Sequence, residues 1–254
     1  MRCLLSSLLL LLLLAGCAGN PAGGNDLKTR NSSNAVAETN LNLGVAYMQR
    51  GEYEKALEKL DRAYKADPDY YATQNAYGLL YQELGKPKAA DEHFRQALKL
   101  NSNDSGTRNN YGQFLCQQGH YQEAESMFEK AAQNPLYKTP AIPLTNAGTC
   151  AIQNHDTATA EQYYRHALSI DPRIPAALLH MAHISYDKGN YMSARGYLQR
   201  YQQVARHTPD SLWLGIRVER KLGDEDAVAS YGLLLKNNFP DSDEASRYLE
   251  TRKH

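Results

Sequence analysis

His180 and His183 stand three residues apart in the segment LLHMAHISY. On one helical face, two imidazoles at that spacing could share a transition metal. A stable site needs three or four ligands, however, and no third ligand of suitable spacing stands out. The sequence therefore predicts no metal centre. Cys116 and Cys150 are the other reactive pair, with 33 residues between them. Neither has a histidine at an obvious pairing position, so neither reads as an activated nucleophile. No glycine-rich phosphate loop and no G-x-S-x-G turn occurs. The expectation is a chain with no catalytic residues, no cofactor and no small-molecule substrate. Its charges, 28 basic against 28 acidic residues, exclude the basic footprint of a general nucleic-acid binder.

The cysteine that carries most meaning is Cys17. Leucines and alanine dominate Leu4 to Ala15, broken only by Ser6 and Ser7. Twelve residues are too few to cross a bilayer, which needs roughly 20. A short run after Arg2, closed by small residues, has the form of a secretory signal. The break itself, Leu14-Ala15-Gly16-Cys17, resembles the bacterial lipobox, in which the cysteine thiol is lipidated and becomes the first residue of the mature chain. Ala18 rather than aspartate follows it, which in that family implies sorting to the outer membrane. Acyl chains contribute about 0.8 kcal/mol per buried methylene, enough to hold a protein whose folded part has no membrane character. Residues 1–16 are thus expected to be a signal peptide. Residues 17–36 would be a lipidated terminus and a tether rich in Gly, Asn and Ser, with a reach of roughly 25 Å. Export removes only Arg2 from the charge balance, and it exposes Cys116 and Cys150 to an oxidising compartment.

The rest of the chain is organised by a repeat. Glycine recurs at 44, 78 and 112, then at 148. Ala182 and Gly215 continue the series. Twelve residues after each stands alanine (Ala56, Ala90, Ala124, Ala160, Ala194, Ala227). Four further on comes a bulky side chain: Leu60, Phe94, Phe128, Tyr164, Leu198, Tyr231. Ala63, Ala97, Ala131 and Ala167 follow, and Pro68 and Pro172 close units one and four. This pattern resembles the tetratricopeptide repeat. Each unit would be two antiparallel helices, with small residues where the helices approach and one bulky residue between them. A closing proline ends the second helix because it lacks an N–H. One such hairpin cannot bury its apolar face alone, so the units stack. The expected fold is all-α, a right-handed superhelix of six units: 37–70, 71–104, 105–140, 141–174, 175–207 and 208–241. A cap at 242–254 carries Tyr248 and Leu249. Unit six is the least regular, with Leu234 where alanine is usual and Pro240 one place late.

Within that frame the first helix of each unit lines a concave groove. Unit one offers Leu41, Val45 and Met48 there, and Leu79 extends this apolar strip from unit two. Asn75 and Asn109 would form a polar ladder beside it, since an amide can both donate to and accept from an extended peptide backbone. The basic residues with which some members of the family clamp a terminal carboxylate are missing. Cys116 and Cys150 fall on adjacent first helices, so a disulfide between units three and four is geometrically possible, worth roughly 3 kcal/mol in the chain-entropy picture. Two buried free thiols are the alternative.

Two stretches narrow the resemblance. The segment from Asn109 to Ala151, with its NPLY sequence and extra residues after unit three, and the segment from Ser211 to Pro240 look like the type IV pilus biogenesis lipoproteins, the pilotins of the PilF/PilW type. Lipobox, tether and six repeats extend the likeness over the whole chain. The resemblance implies a non-enzymatic, lipid-anchored outer-membrane protein facing the periplasm. Its partner would be the type IV pilus secretin, which it would deliver to the outer membrane and help to multimerise, with Leu41, Val45, Met48 and Leu79 as the contact. The competing expectation is a lipoprotein scaffold for another envelope machine, such as outer-membrane protein insertion or activation of a cell-wall polymerase.

Overall fold

The second helix of each pair shows why these residues fold as they do. In YEKALEKLDRAYKA, Ala56, Leu60 and Ala63 repeat at four and three residues and are fully buried, while Glu and Lys fill the other faces. That is the stripe of a surface helix. Ion pairs one turn apart support the solvated side, Arg62 to Glu58 at 2.7 Å and Arg95 to Asp91 at 2.8 Å.

The computed structural model of the protein describes residues 34–251. The proposed signal peptide, Cys17 and the tether up to residue 33 lie outside the described residues. Among the described residues there are thirteen α-helices and no strand. Six antiparallel pairs follow one another: α1 (Ala35–Gln49) with α2 (Tyr53–Ala66), α3 (Tyr71–Glu83) with α4 (Pro87–Leu100), α5 (Ser105–Gln117) with α6 (Tyr121–Ala132), α7 (Ala141–Gln153) with α8 (Thr157–Ile170), α9 (Pro175–Asp187) with α10 (Tyr191–Gln202), and α11 (Pro209–Leu222) with α12 (Glu225–Asn238). A lone α13 (Asp243–Glu250) packs on α11 and α12. Each first helix touches its own partner and its neighbouring pairs, which is the stacking of a tetratricopeptide superhelix.

The sixteen-residue spacing is the closure of each pair. A Cβ placed on Gly78 would lie 2.7 Å from the Phe94 ring, and one on Gly44 would lie 2.8 Å from Leu60 Cδ2. Gly112 meets Phe128 and Gly148 meets Tyr164 in the same way. The missing side chain is the space that the bulky residue fills. The first helix α3, held between two neighbours, is buried all round from Tyr71 to Leu80. Tyrosine hydroxyls tie successive pairs, with Tyr77 donating to Asp61 and Tyr111 to Asp91, both at 2.6 Å. The turn inside a pair needs one left-handed residue, supplied by Gly85 (φ 64°) in pair two and by His155 (φ 59°) in pair four.

Pair six departs from the sequence expectation by one residue. Val228 and Leu235 point inward in place of Ala227 and Leu234, and Leu234 is 40% exposed. The same one-place shift is visible in Pro240. In α13, Tyr248 is buried but Leu249 is 45% exposed.

Candidate binding groove

The six groove residues expected from the sequence separate into a floor and a lip. Leu41 is 1% exposed and packs with Ala37, Ala56, Leu60 and Leu80 in the first core cluster. It is a core residue, which corrects its assignment as a contact. Leu79, at 9%, belongs likewise to the next cluster, with Phe94 and Phe114. The reason is the stacking itself: the neighbouring first helix closes over these positions. Val45 and Met48 remain partly open, one and two turns further along α1, and Met48 bridges both clusters. Glu38 and Gln49 are exposed beside them.

The amide ladder exists, but it is an internal one. Asn110 Nδ2 donates to Asn75 Oδ1 at 3.2 Å, and Asn146 Nδ2 donates to Asn109 Oδ1 at 2.8 Å. Each rung joins one first helix to the next. Asn75 and Asn109 are 3% and 6% exposed, so their side chains serve the stack rather than offering themselves to a backbone. Gln82 Nε2 donates to Gln117 Oε1 at 2.9 Å and repeats the theme nearer the surface. Asn110 and Asn146 were missed by the sequence reading. Their signal is an asparagine two places before the repeat glycine, Asn110 before Gly112 and Asn146 before Gly148.

Cys116 and Cys150 form a disulfide between α5 and α7, with Cα atoms 5.8 Å apart, inside the usual span for a cystine. It lies next to the asparagine rungs, so units three and four are joined both covalently and by amides. The two histidines look in different directions. His180 stacks on Tyr164 with ring centres 5.0 Å apart, and burial holds its pKa below the ordinary histidine value. His183 Nε2 is 2.9 Å from Asp210 Oδ2. Among the described residues no group of three metal-ligating side chains converges, and no helix is long and apolar enough to cross a membrane.

The comparisons with known proteins agree with this geometry. Tetratricopeptide-repeat profiles match residues 35–103, 93–126 and 151–214. The chain is 34% identical over 236 residues to the type IV pilus assembly protein PilF of Pseudomonas aeruginosa, covering 92% of this chain and 94% of the relative. A solved structure of Pseudomonas aeruginosa PilF superposes with a TM-score of 0.76 at 33% identity, over 85% of this chain and 97% of that one. The structure of PilW, a widely conserved type IV pilus biogenesis factor, gives 0.74 at 32% identity, over 85% and 100%.

Proposed function

This chain belongs to the family of type IV pilus assembly proteins that includes PilF and PilW, a tetratricopeptide protein of pilus biogenesis, and on that premise we propose that it is the non-catalytic lipoprotein that captures the pilus secretin. In this reading Cys17 carries lipid in the outer membrane, the tether spans the gap, and the first repeats hold a segment of the secretin subunit so that it arrives at that membrane and multimerises. The observation that carries the reading is the lip of Val45 and Met48. It is an apolar patch left partly open beside a floor that holds the buried Leu41 and Leu79 and the paired amides. Apolar centres with polar rims are where binding energy concentrates, and Glu38 and Gln49 supply a rim.

The test uses the full-length protein in detergent. It should capture purified secretin subunit, and Val45→Asp with Met48→Asp should lose that capture while still melting as a cooperatively folded stack. Unchanged capture by this folded variant would remove the lip from the binding surface. Cys17→Ala should leave the outer-membrane fraction, and retention there would remove the anchor.

A further inference from the structure

The NPLY stretch has no part in the groove, yet it is the most prominent irregularity of the surface. The loop 133–140 between α6 and α7 exposes Leu136 to 87%, more than any other large apolar side chain described, Met192 being next at 65%. The loop is built rather than loose. Asn134 Nδ2 donates to Asn103 O at 3.1 Å and to Ser105 Oγ at 3.0 Å, which ties it to the preceding turn. The backbone N–H of Leu136 donates to Asn134 Oδ1 at 3.0 Å. An asparagine clasp thus holds a leucine out into solvent, where burial would be worth roughly 2 kcal/mol in apolar transfer.

Beside it opens a cavity of about 900 Å³, lined among others by Tyr71, Asn101, Arg108, Lys130 and Pro135. Its wall is net positive, with two cationic side chains to one carboxylate. Arg108 and Lys130 face it, and Lys138 is exposed two residues beyond Leu136. The acid in the wall, Asp104, is engaged in the fold: it caps α5 by accepting from Thr107 N–H at 2.6 Å, and accepts from Tyr71 Oη at 3.2 Å. The side-chain amides of Asn103 and Gln133 in the wall can pair with a peptide main chain in both senses. One leucine is too little apolar surface for stable attachment to lipid.

From these features we infer that the edge formed by the α4–α5 turn and the α6–α7 loop is a second docking site, which takes an acidic segment of a partner protein. Leu136 enters an apolar pocket of that partner, and the partner's carboxylates lie over Arg108, Lys130 and Lys138. The site is separate from the groove at Val45 and Met48, and it does not depend on the groove's partner being the secretin.

The experiment replaces Leu136 with p-benzoyl-phenylalanine in the full chain, irradiates piliated cells, and sequences the cross-linked peptide by mass spectrometry. The same replacement at Met192 sets the background. The expected product is a segment of another polypeptide that is rich in Asp and Glu and contains an apolar residue. Lys130→Glu with Lys138→Glu should lower its yield at least about fivefold, while Lys130→Arg keeps it. Cross-linking to residues 1–33 of the same chain, to a second copy or to phospholipid would overturn the inference. So would a yield no higher than at Met192, a segment without acidic residues, or indifference to the charge reversal.

Discussion

Leu41→Asp and Val45→Asp lie four residues apart on α1, and the structure assigns them opposite consequences. Leu41 is 1% exposed against Ala56 and Leu60. Removing a buried leucine side chain costs about 2–5 kcal/mol. Leaving a carboxyl group in its place adds a desolvation penalty of about 1–3 kcal/mol even when the group takes up a proton. The sum is about 3–8 kcal/mol, a large share of the roughly 5–15 kcal/mol that holds a domain together. In a stack whose units contact only their neighbours, the loss falls on the end unit. Leu41→Asp should therefore unravel α1 and α2 and leave the later pairs folded. Val45 is partly open, and its replacement should cost no more than about 1 kcal/mol. Thermal melts and hydrogen exchange resolved by peptide would read both effects. Leu41→Asp should lose amide protection in residues 35–66, and Val45→Asp should keep it. Protection in Leu41→Asp equal to wild type would refute the burial argument. It would also return Leu41 to the list of contact residues.

Three further outcomes follow from single contacts. Gly78→Ala places a methyl 2.7 Å from the Phe94 ring and should destabilise by about 1–3 kcal/mol. Combined with Phe94→Leu it should cost less than the two changes added together, so strict additivity in melting would count against the pairing. Replacing Cys116 and Cys150 by serine opens a loop with a sequence separation of 34 and should cost about 3–4 kcal/mol by the chain-entropy relation; a melting temperature equal to that of the oxidised protein would argue against it. Lys188 and Arg165 hydrogen-bond Glu161 and hold its carboxyl below the ordinary glutamate pKa. The stability this gives is full above the ordinary value of about 4.3 and is lost as pH falls through the lowered one. Glu161→Gln should show a shallower loss of stability between about pH 5 and 3, and an unchanged acid limb would exclude the linkage.

The parts of this fold that could be read from sequence are those fixed inside one helical pair. Gly78 and Phe94 are sixteen residues apart in every register of the series, so their contact is written as a spacing. The parts that could not be read depend on the neighbouring pair. Whether position 41 is a surface or a core site is decided by how closely α3 lies against α1. Asn75 reads as a free amide until Asn110 of the next helix is brought within 3.2 Å. The slip in pair six was visible in Pro240, but its effect, turning Leu235 inward and Leu234 outward, needed the structure. The extra residues after unit three announced a loop, and nothing in their spacing said that Asn134 would clasp it and leave Leu136 outside.

Stiffness is distributed along the stack in a way that bears on binding. The asparagine rungs and the disulfide lock α3, α5 and α7 to one another. The first pair has a leucine in place of a rung at position 41 and, among the described residues, packs on a pair on one side only, and its Val36 and Leu43 are 59% and 43% exposed. With neither rung nor disulfide, it is the unit whose local opening should cost least. The same unit carries the apolar lip. A partner that binds the lip only when α1 is packed must stabilise that pair by RT ln(1 + [L]/Kd), about 2.7 kcal/mol at a hundredfold excess over Kd. Capture of a client should therefore slow hydrogen exchange across residues 35–66 far more than across α5 and α7. Equal slowing along the whole stack would mean that the client reads the rigid middle instead.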